Sequence, residues 1–111
     1  LTVLPVPVVH PSGATAFGLR IGAGRAIIGF SGDTAWTPAL GEIARGADLF
    51  ICECCGYDTA VPFHLHYTHL RTAVAELGAR RIVLTHLGAT MLARLAEIDL
   101  EVAEDGQVIE L

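Results

Sequence analysis

The segment Phe30-Ser31-Gly32-Asp33-Thr34 decides the fold of this 111-residue chain. It follows the apolar run Ala26-Ile27-Ile28-Gly29 and precedes a predicted helix start at Thr37-Pro38. Asp33 is therefore expected in the loop where a buried strand ends, next to a glycine that allows the chain to turn sharply. A carboxylate in that place suits a catalytic or metal-binding site, although a Gly-Asp pair taken alone is more typical of a simple turn.

Length, composition and net charge exclude several classes of protein for this chain. The length fits one domain, and 52% hydrophobic residues supply a substantial core. A net charge of −5 argues against a basic patch for nucleic acid, but an anionic substrate is compatible with it where metal ions supply positive charge. No apolar run reaches the roughly 20 residues of a membrane-spanning helix, so neither a membrane segment nor a signal peptide is expected. The cysteines form an odd, local cluster, which favours free thiols and a cytoplasmic location.

Apolar patterns and turn signals predict an α/β fold with a mixed (α+β) sheet and helices on one face. Strands are expected at 1–9, 16–21, 25–30, 49–52, 81–86, 100–103 and 107–111, and helices at 38–46, 67–77 and 89–98. The last two strands are predicted to form a hairpin around Asp105-Gly106, a type I′ turn signal. The apolar strands at 49–52 and 82–84 need cover on both sides, so a second layer is expected against the other face of the sheet.

Polar residues follow three successive apolar strands at the point where each strand ends. They are Asp33, the group Glu53-Cys54-Cys55, and His86. Because such strand ends lie side by side in a sheet, the three groups are expected to converge on one rim. A histidine after a strand is by itself more often a hydrogen-bonded structural residue, but the recurrence at equivalent places favours a functional site.

The remaining histidines and cysteines leave several interpretations open. The pattern His64-x-His66-x-x-His69 is compatible with zinc, yet no Cys-x-x-Cys or His-Glu-x-x-His frame accompanies it, so at least one of these histidines is interpreted as a surface residue. His10 lies beside a Pro-Ser-Gly turn from which it could reach the same rim, but a structural role is the favoured interpretation. Cys52 is interpreted as a buried apolar residue, whereas Cys54 and Cys55 stay unassigned.

Together these elements resemble the C-terminal half of the metallo-β-lactamase-fold hydrolases. The resemblance is carried by Gly29-Phe30-Ser31-Gly32-Asp33-Thr34 before a helix, by Asp48-Leu49-Phe50-Ile51-Cys52-Glu53, by a histidine before a helix, and by Arg81-Ile82-Val83-Leu84-Thr85-His86. Within that superfamily the chain is most similar to the ribonuclease Z and phosphodiesterase-like branch. The resemblance implies an αββα sandwich with a dinuclear metal site, usually zinc, on the rim between its two halves.

By motif position, the resemblance implies roles for three residues. Asp33 matches the aspartate that bridges the two metals, and His86 matches the last histidine ligand. His64 matches the histidine that protonates the leaving group in the ribonuclease Z branch, although that branch has Ser-Thr after it where this chain has Leu65-His66. Glu53 is a candidate hydrogen-bond partner for the second ring nitrogen of His86.

The His-x-His-x-Asp-His motif, which supplies most of the metal ligands in that family, is absent from residues 1–111. The whole of 1–111 is therefore interpreted as the C-terminal half of such a domain, whose N-terminal half or a partner chain completes the site. A non-catalytic remnant is the alternative. An uncovered sheet face also allows pairing of this chain with a second copy.

The expected function is metal-dependent hydrolysis by a water that two zinc ions activate, with Mn²⁺ or Fe²⁺ as alternative metals. The favoured substrate is a small-molecule or nucleotide phosphodiester. A lactonase or thioesterase of the same fold is an alternative, because substrate choice resides in loops rather than in the fold, and so is a binding or assembly domain without a complete metal site. Residues 1–111 alone are expected to be inactive, since Asp33 and His86 supply too few ligands for two zinc ions.

Overall fold

A computed structural model describes residues 1–111, and its strands follow one another across a single sheet. The elements are β1 (Thr2–Pro7), β2 (Phe17–Ala23), β3 (Ala26–Phe30), α1 (Ala39–Ala44), β4 (Leu49–Glu53), α2 (Tyr67–Leu77), β5 (Ile82–Thr85), α3 (Ala89–Leu92), a 3-10 turn (Leu95–Glu97) and β6 (Glu101–Val102). None of these helices combines the length and the apolarity needed to cross a lipid bilayer.

The sheet is mixed, as the sequence predicts. Its six strands lie in the order β1-β2-β3-β4-β5-β6. The pairs β1–β2 and β2–β3 are antiparallel, whereas β3 to β6 run parallel to one another. The carboxyl ends of β3, β4 and β5 therefore meet at the same edge, where the loops that follow them begin.

One face of the sheet packs against the helices and forms the core. Ile43 from α1, together with Leu70 and Leu77 from α2, joins Phe50 and Leu84 of the sheet in one buried cluster. A Cβ atom on Gly29 would lie 2.9 Å from the backbone oxygen of Ile43 and 2.9 Å from Phe50 Cδ2, so only glycine lets α1 approach β3 this closely. We call this side, with Phe50, Cys52 and Leu84 as its central residues, the covered face.

The opposite side of β1–β3, which we call the open face, carries large apolar side chains that no helix of this chain covers. Strand register places Val3 beside Ile21, Ile21 beside Ile28, and Leu19 beside Phe30 on this side. Val3, Phe17 and Phe30 remain 52%, 45% and 38% exposed. The helices thus cover one face only, which agrees with the expected architecture.

The predicted C-terminal hairpin is wrong. The Asp105-Gly106 turn forms, with Gln107 N–H donating to the Glu104 oxygen at 3.0 Å, but residues 107–111 do not return as a strand. Instead β6 pairs parallel with β5, and Ala103 N–H donates to the Leu84 oxygen at 2.8 Å. The second strand is missing because Val108 and Leu111 find no surface to cover them, and they stay 85% and 59% exposed.

The predicted helix over 89–98 is shorter than expected. It ends at Leu92 and is followed by the 3-10 turn, because Arg94 leaves the helical region with φ −128° and ψ 28°. The Arg94 guanidinium lies 3.6 Å from the centre of the Tyr57 ring and also pairs with Glu97, so tertiary contacts override the helical pattern. Leu92, the last residue of this shortened helix, is exposed.

Candidate metal centre

The loop after β3 holds Asp33 at the rim of the sheet. Gly32 has φ +60°, and a Cβ atom there would lie 2.8 Å from the Phe17 oxygen, so the turn requires glycine. The buried Ser31 fixes the loop, since its hydroxyl accepts a hydrogen bond from Glu53 N–H at 2.8 Å and donates to the Gly32 oxygen at 2.7 Å. The half-exposed Asp33 carboxylate consequently projects into a pocket of about 210 Å³ that Glu53 and His86 also line.

His86 follows β5 and faces Asp33 across this pocket. Its backbone has φ +56°, a left-handed conformation that costs a non-glycine residue about 1–2 kcal/mol. Strain of this kind concentrates at functional sites, because the surrounding structure must enforce it. Nε2 of His86 lies 3.7 Å from Asp33 Oδ2, too far for a hydrogen bond. The Asp33 carboxylate and the His86 ring thus face each other without a hydrogen bond between them, and both remain free to bind a metal ion.

His64 reaches the same rim from the loop before α2. Its Nδ1–H donates to Glu53 Oε1 at 2.8 Å, which leaves Nε2 as the nitrogen available for chemistry. The His64 ring stacks on the His86 ring with centroids 5.3 Å apart and planes inclined by 24°. Asp33 and His86 are brought together, as the sequence predicts for the strand ends, and His64 joins them from a loop.

Glu53 organises the loops around these residues. Its carboxylate is 1% exposed and accepts three backbone hydrogen bonds, from Thr34 at 3.0 Å, Cys55 at 3.1 Å and Leu65 at 3.3 Å. The expectation that Glu53 would hold His86 is wrong, because both of its oxygens are turned toward the loops and His64. In the sequence, the only sign of this role of Glu53 is its position as a single acidic residue at the end of a buried strand.

Cys55 is a rim residue that the sequence leaves unassigned. One donor atom from each of Cys55, His64 and His86 lies within 4.8 Å of the other two. Burial raises the pKa of the Cys55 thiol, and the nearby Glu53 and Asp33 carboxylates raise it further. The sequence signal was its place at the end of β4, one residue beyond the loop's first cysteine.

The other two cysteines belong to the protein interior. Burial, followed by the negative charge of Glu53, raises the pKa of Cys54 to about 12, and burial raises that of Cys52 well above its ordinary value. Cys54 Sγ lies 3.7 Å from the Gly56 oxygen, to which it donates. None of the three cysteines forms a disulfide. Cys52 is therefore the buried apolar residue expected from the sequence.

The remaining histidines divide into two groups. His10 accompanies the rim, because its ring meets the His64 ring edge-on with centroids 5.1 Å apart, while its Nδ1 bonds to the Phe63 oxygen at 3.2 Å. His66 and His69 instead lie near Trp36, whose ring centroid is 4.5 Å from that of His69. The structure thus separates His66 and His69 from the rim cluster that contains His64.

The donor chemistry at this rim fits zinc. Neutral imidazole and carboxylate groups are ordinary zinc ligands, and Asp33 and His86 offer one of each at a short mutual distance. Each zinc in an open catalytic site takes about three protein ligands, so these residues fall short of a two-metal site. A dinuclear centre therefore needs ligands from outside residues 1–111.

Two sequence comparisons place the chain in a family. The family described as beta-lactamase superfamily domain matches residues 1–87. The uncharacterized protein Rv1339 of Mycobacterium tuberculosis is 37% identical over 91 residues, and the uncharacterized protein ML1173 of Mycobacterium leprae is 37% identical over 92 residues. Each match covers 78% of this chain but only 33% and 31% of the relative. The chain thus spans about a third of the length of the curated relatives it matches.

Solved structures show the same fold. The metallo-beta-lactamase fold protein YhfI from Bacillus subtilis has a TM-score of 0.78 at 24% identity, with 97% of this chain and 49% of that chain covered. A diphosphatase from the PhnP family gives 0.75 at 21% identity, covering 98% and 43%. The short form of human tRNase Z gives 0.72 at 23% identity, covering 97% and 42%. The chain has the metallo-β-lactamase fold and belongs to the beta-lactamase superfamily, a hydrolytic fold superfamily.

Proposed function

We propose that this chain is the C-terminal half of a metal-dependent hydrolase that cleaves phosphodiesters with two zinc ions. The observation that carries the proposal is the convergence of Asp33, His86 and the Glu53-bound His64 on one rim. Support for a phosphoester substrate comes from the diphosphatase and the tRNase Z named above, which share the fold. Free cysteines support a reducing compartment such as the cytoplasm.

The missing half of the site is proposed to lie against the open face. Exposed Val3, Phe17 and Phe30 need a second apolar layer, and the chain covers 42–49% of the three solved structures. An N-terminal half of the same protein, or a partner chain, would bury these side chains and bring further ligands to the rim. Pairing with a second copy would cover the face as well, but it would add no His-x-His-x-Asp-His motif.

The residues of this chain have different proposed roles at the rim. Asp33 offers two carboxylate oxygens and a negative charge, which suits a bridge between two cations, and His86 offers its Nε2. When bound, two zinc ions would lower the pKa of a water toward neutrality and polarise the phosphoryl group. In its doubly protonated form, His64 would donate a proton from Nε2 to the leaving oxygen, while Glu53 accepts from Nδ1–H and thereby fixes the ring orientation. Glu53 is thus a positioning residue.

The test is hydrolysis of bis(p-nitrophenyl) phosphate by the zinc-loaded full-length protein, compared with a simple lactone and an acyl thioester. Asp33→Ala should abolish turnover, whereas Asp105→Ala, in an exposed turn, should leave it unchanged. His64→Ala should lower turnover by about 10²–10⁴-fold, the usual contribution of a general acid. Preferred cleavage of the lactone or thioester would overturn the phosphodiester assignment, and no hydrolysis of any substrate would favour the non-catalytic alternative.

A further inference from the structure

Cys55 is held rigidly at the rim from both sides. Its N–H donates to Glu53 Oε2 at 3.1 Å, and its carbonyl oxygen accepts from Gly88 N–H at 2.9 Å. Gly88 follows His86 by two residues, so this bond ties the loop after β4 to the loop that carries the histidine. A Cβ atom on Gly88 would lie 2.5 Å from the Cys55 oxygen and 3.1 Å from its Sγ. The sulfur is therefore packed directly beside the His86 loop.

The Cys55 sulfur lies within 4.8 Å of one nitrogen of His64 and of His86, a spacing that a small rearrangement converts into that of a filled metal site. Zinc–sulfur and zinc–nitrogen bonds of about 2.3 and 2.0–2.1 Å place neighbouring tetrahedral donors roughly 3.3–3.7 Å apart. In the structure the donor atoms of Cys55, His64 and His86 all lie within 4.8 Å of one another, and Asp33 Oδ2 is 3.7 Å from His86. Movements of about 1 Å would bring Cys55 Sγ to bonding distance from an ion held by His86.

We propose that the Cys55 thiolate is a further metal ligand at this rim, bound to the same ion as His86. As the sulfur–metal bond forms, the thiol proton leaves to solvent and no redox change occurs. A thiolate selects zinc over the oxygen-preferring cations, so Cys55 would disfavour Mn²⁺ as the resident metal. The inference rests on the proposed metal site but not on the proposed reaction or substrate.

The neighbouring cysteine supplies a matched control. Cys54 is adjacent in sequence, but its sulfur is buried and donates to the Gly56 oxygen. The donor group formed with His64 and His86 contains Cys55 and not Cys54. A serine at either position keeps the side-chain size while removing the sulfur.

The test is Co²⁺ substitution of the full-length protein, followed by absorption spectroscopy. Wild type and Cys54→Ser should show a sulfur-to-cobalt charge-transfer band in the near ultraviolet together with visible d–d bands. Cys55→Ser should lose the charge-transfer band and keep d–d bands from the remaining ligands. A charge-transfer band that persists in Cys55→Ser, or d–d bands without one in wild type, would overturn the thiolate ligand while leaving the proposed function intact. Absence of any cobalt band in wild type would contradict the metal site itself.

A second measurement uses the wild-type protein and so avoids a variant that fails to fold. Iodoacetamide labelling of Cys55 is followed by peptide mass spectrometry with and without bound zinc. Zinc should slow the labelling of Cys55 because a metal-bound sulfur is a poorer nucleophile, whereas the buried Cys54 should react slowly in both states. Equal labelling rates of Cys55 with and without zinc would contradict the proposal.

Discussion

The covered face and the open face belong to one sheet and both carry large apolar side chains, yet the helices of this chain bury only the centre of the covered face. Phe50, Cys52 and Leu84 on the covered face have no exposed surface, whereas Phe17 and Phe30 on the open face remain 45% and 38% exposed. A sheet with two apolar faces is suited to two layers, of which this chain supplies one. The candidate metal centre lies at the edge of the same sheet, so the proposed second layer would cover the apolar surface and also bring further ligands to the rim.

The largest predicted effect contrasts two phenylalanines. Phe50→Ala should destabilise the 111-residue chain by about 3–5 kcal/mol, because it opens a cavity in the core. Phe30→Ala should cost about 1 kcal/mol or less, as is usual for an accessible side chain. Urea unfolding of both variants measures the difference. Equal losses would mean that the open face is already covered in the chain itself.

The effect of replacing Phe30 should differ between the 111-residue chain and the full-length protein. In the full-length protein a second layer should bury Phe30, so that Phe30→Ala costs about 3–5 kcal/mol, as truncation of a core phenylalanine does. A cost that stays small in the full-length protein would show that nothing packs on the open face.

A somewhat smaller effect separates two carboxylates. Glu53→Ala should destabilise by about 3 kcal/mol, because the backbone N–H groups of Thr34, Cys55 and Leu65 lose their acceptor and each orphaned donor costs at least about 1 kcal/mol. Glu76→Ala, on the exposed side of α2, should stay within about 0.5 kcal/mol of wild type. Thermal and urea unfolding measure both. If the two variants proved equally stable, Glu53 would not organise the loops.

Two glycines provide a contrast of opposite sign. Gly29→Ala should destabilise by about 1–3 kcal/mol, since the added methyl group meets the backbone of α1. Gly41→Ala, within α1 and with no atom closer than 3.7 Å to the new Cβ, should stabilise by about 0.5–1 kcal/mol. Denaturation midpoints decide the signs, and a neutral Gly29→Ala would contradict the close approach of helix and sheet.

The smallest effect concerns the ion pair at the β5–β6 edge. The Arg81 guanidinium donates to both Glu101 oxygens at 2.7 Å and lowers the pKa of that carboxyl. A lowered folded-state pKa stabilises the protein above the unfolded pKa, and this contribution is lost as the pH falls through the folded value. Arg81→Gln should therefore be slightly less stable than wild type at neutral pH and equally stable in acid. A difference independent of pH would rule out the ion pair as its cause.

Most of the fold follows from local patterns that the tertiary structure respects. The helix α2 shows apolar residues at helical spacing and ends at Gly78, whose φ of +69° fits a glycine cap. The C-terminal hairpin cannot be predicted in this way. Its Asp-Gly signal predicts a turn, but it does not indicate whether Val108 packs against another surface. Local signals thus predict turns and helix ends more securely than strand pairing.

The site is predictable in part for the same reason. Asp33 and His86 follow β3 and β5, the parallel strands on either side of β4, so their convergence at one edge follows from topology. The partner of Glu53 depends on how the loop before α2 folds back over β4, which no spacing rule encodes, and the sequence pointed to His86 instead of His64. Cys55 escaped assignment because a cysteine beside a buried strand is more often a packing residue.

The most direct test of the central claim is the metal content of the purified full-length protein, measured by plasma emission spectroscopy. The proposed site predicts about two metal ions in wild type, as a two-metal centre requires, and loss of metal in Asp33→Ala. His64→Ala should keep its metal, because His64 is assigned to proton transfer rather than to ligation. Retention of both metal ions by Asp33→Ala would contradict the proposed metal centre.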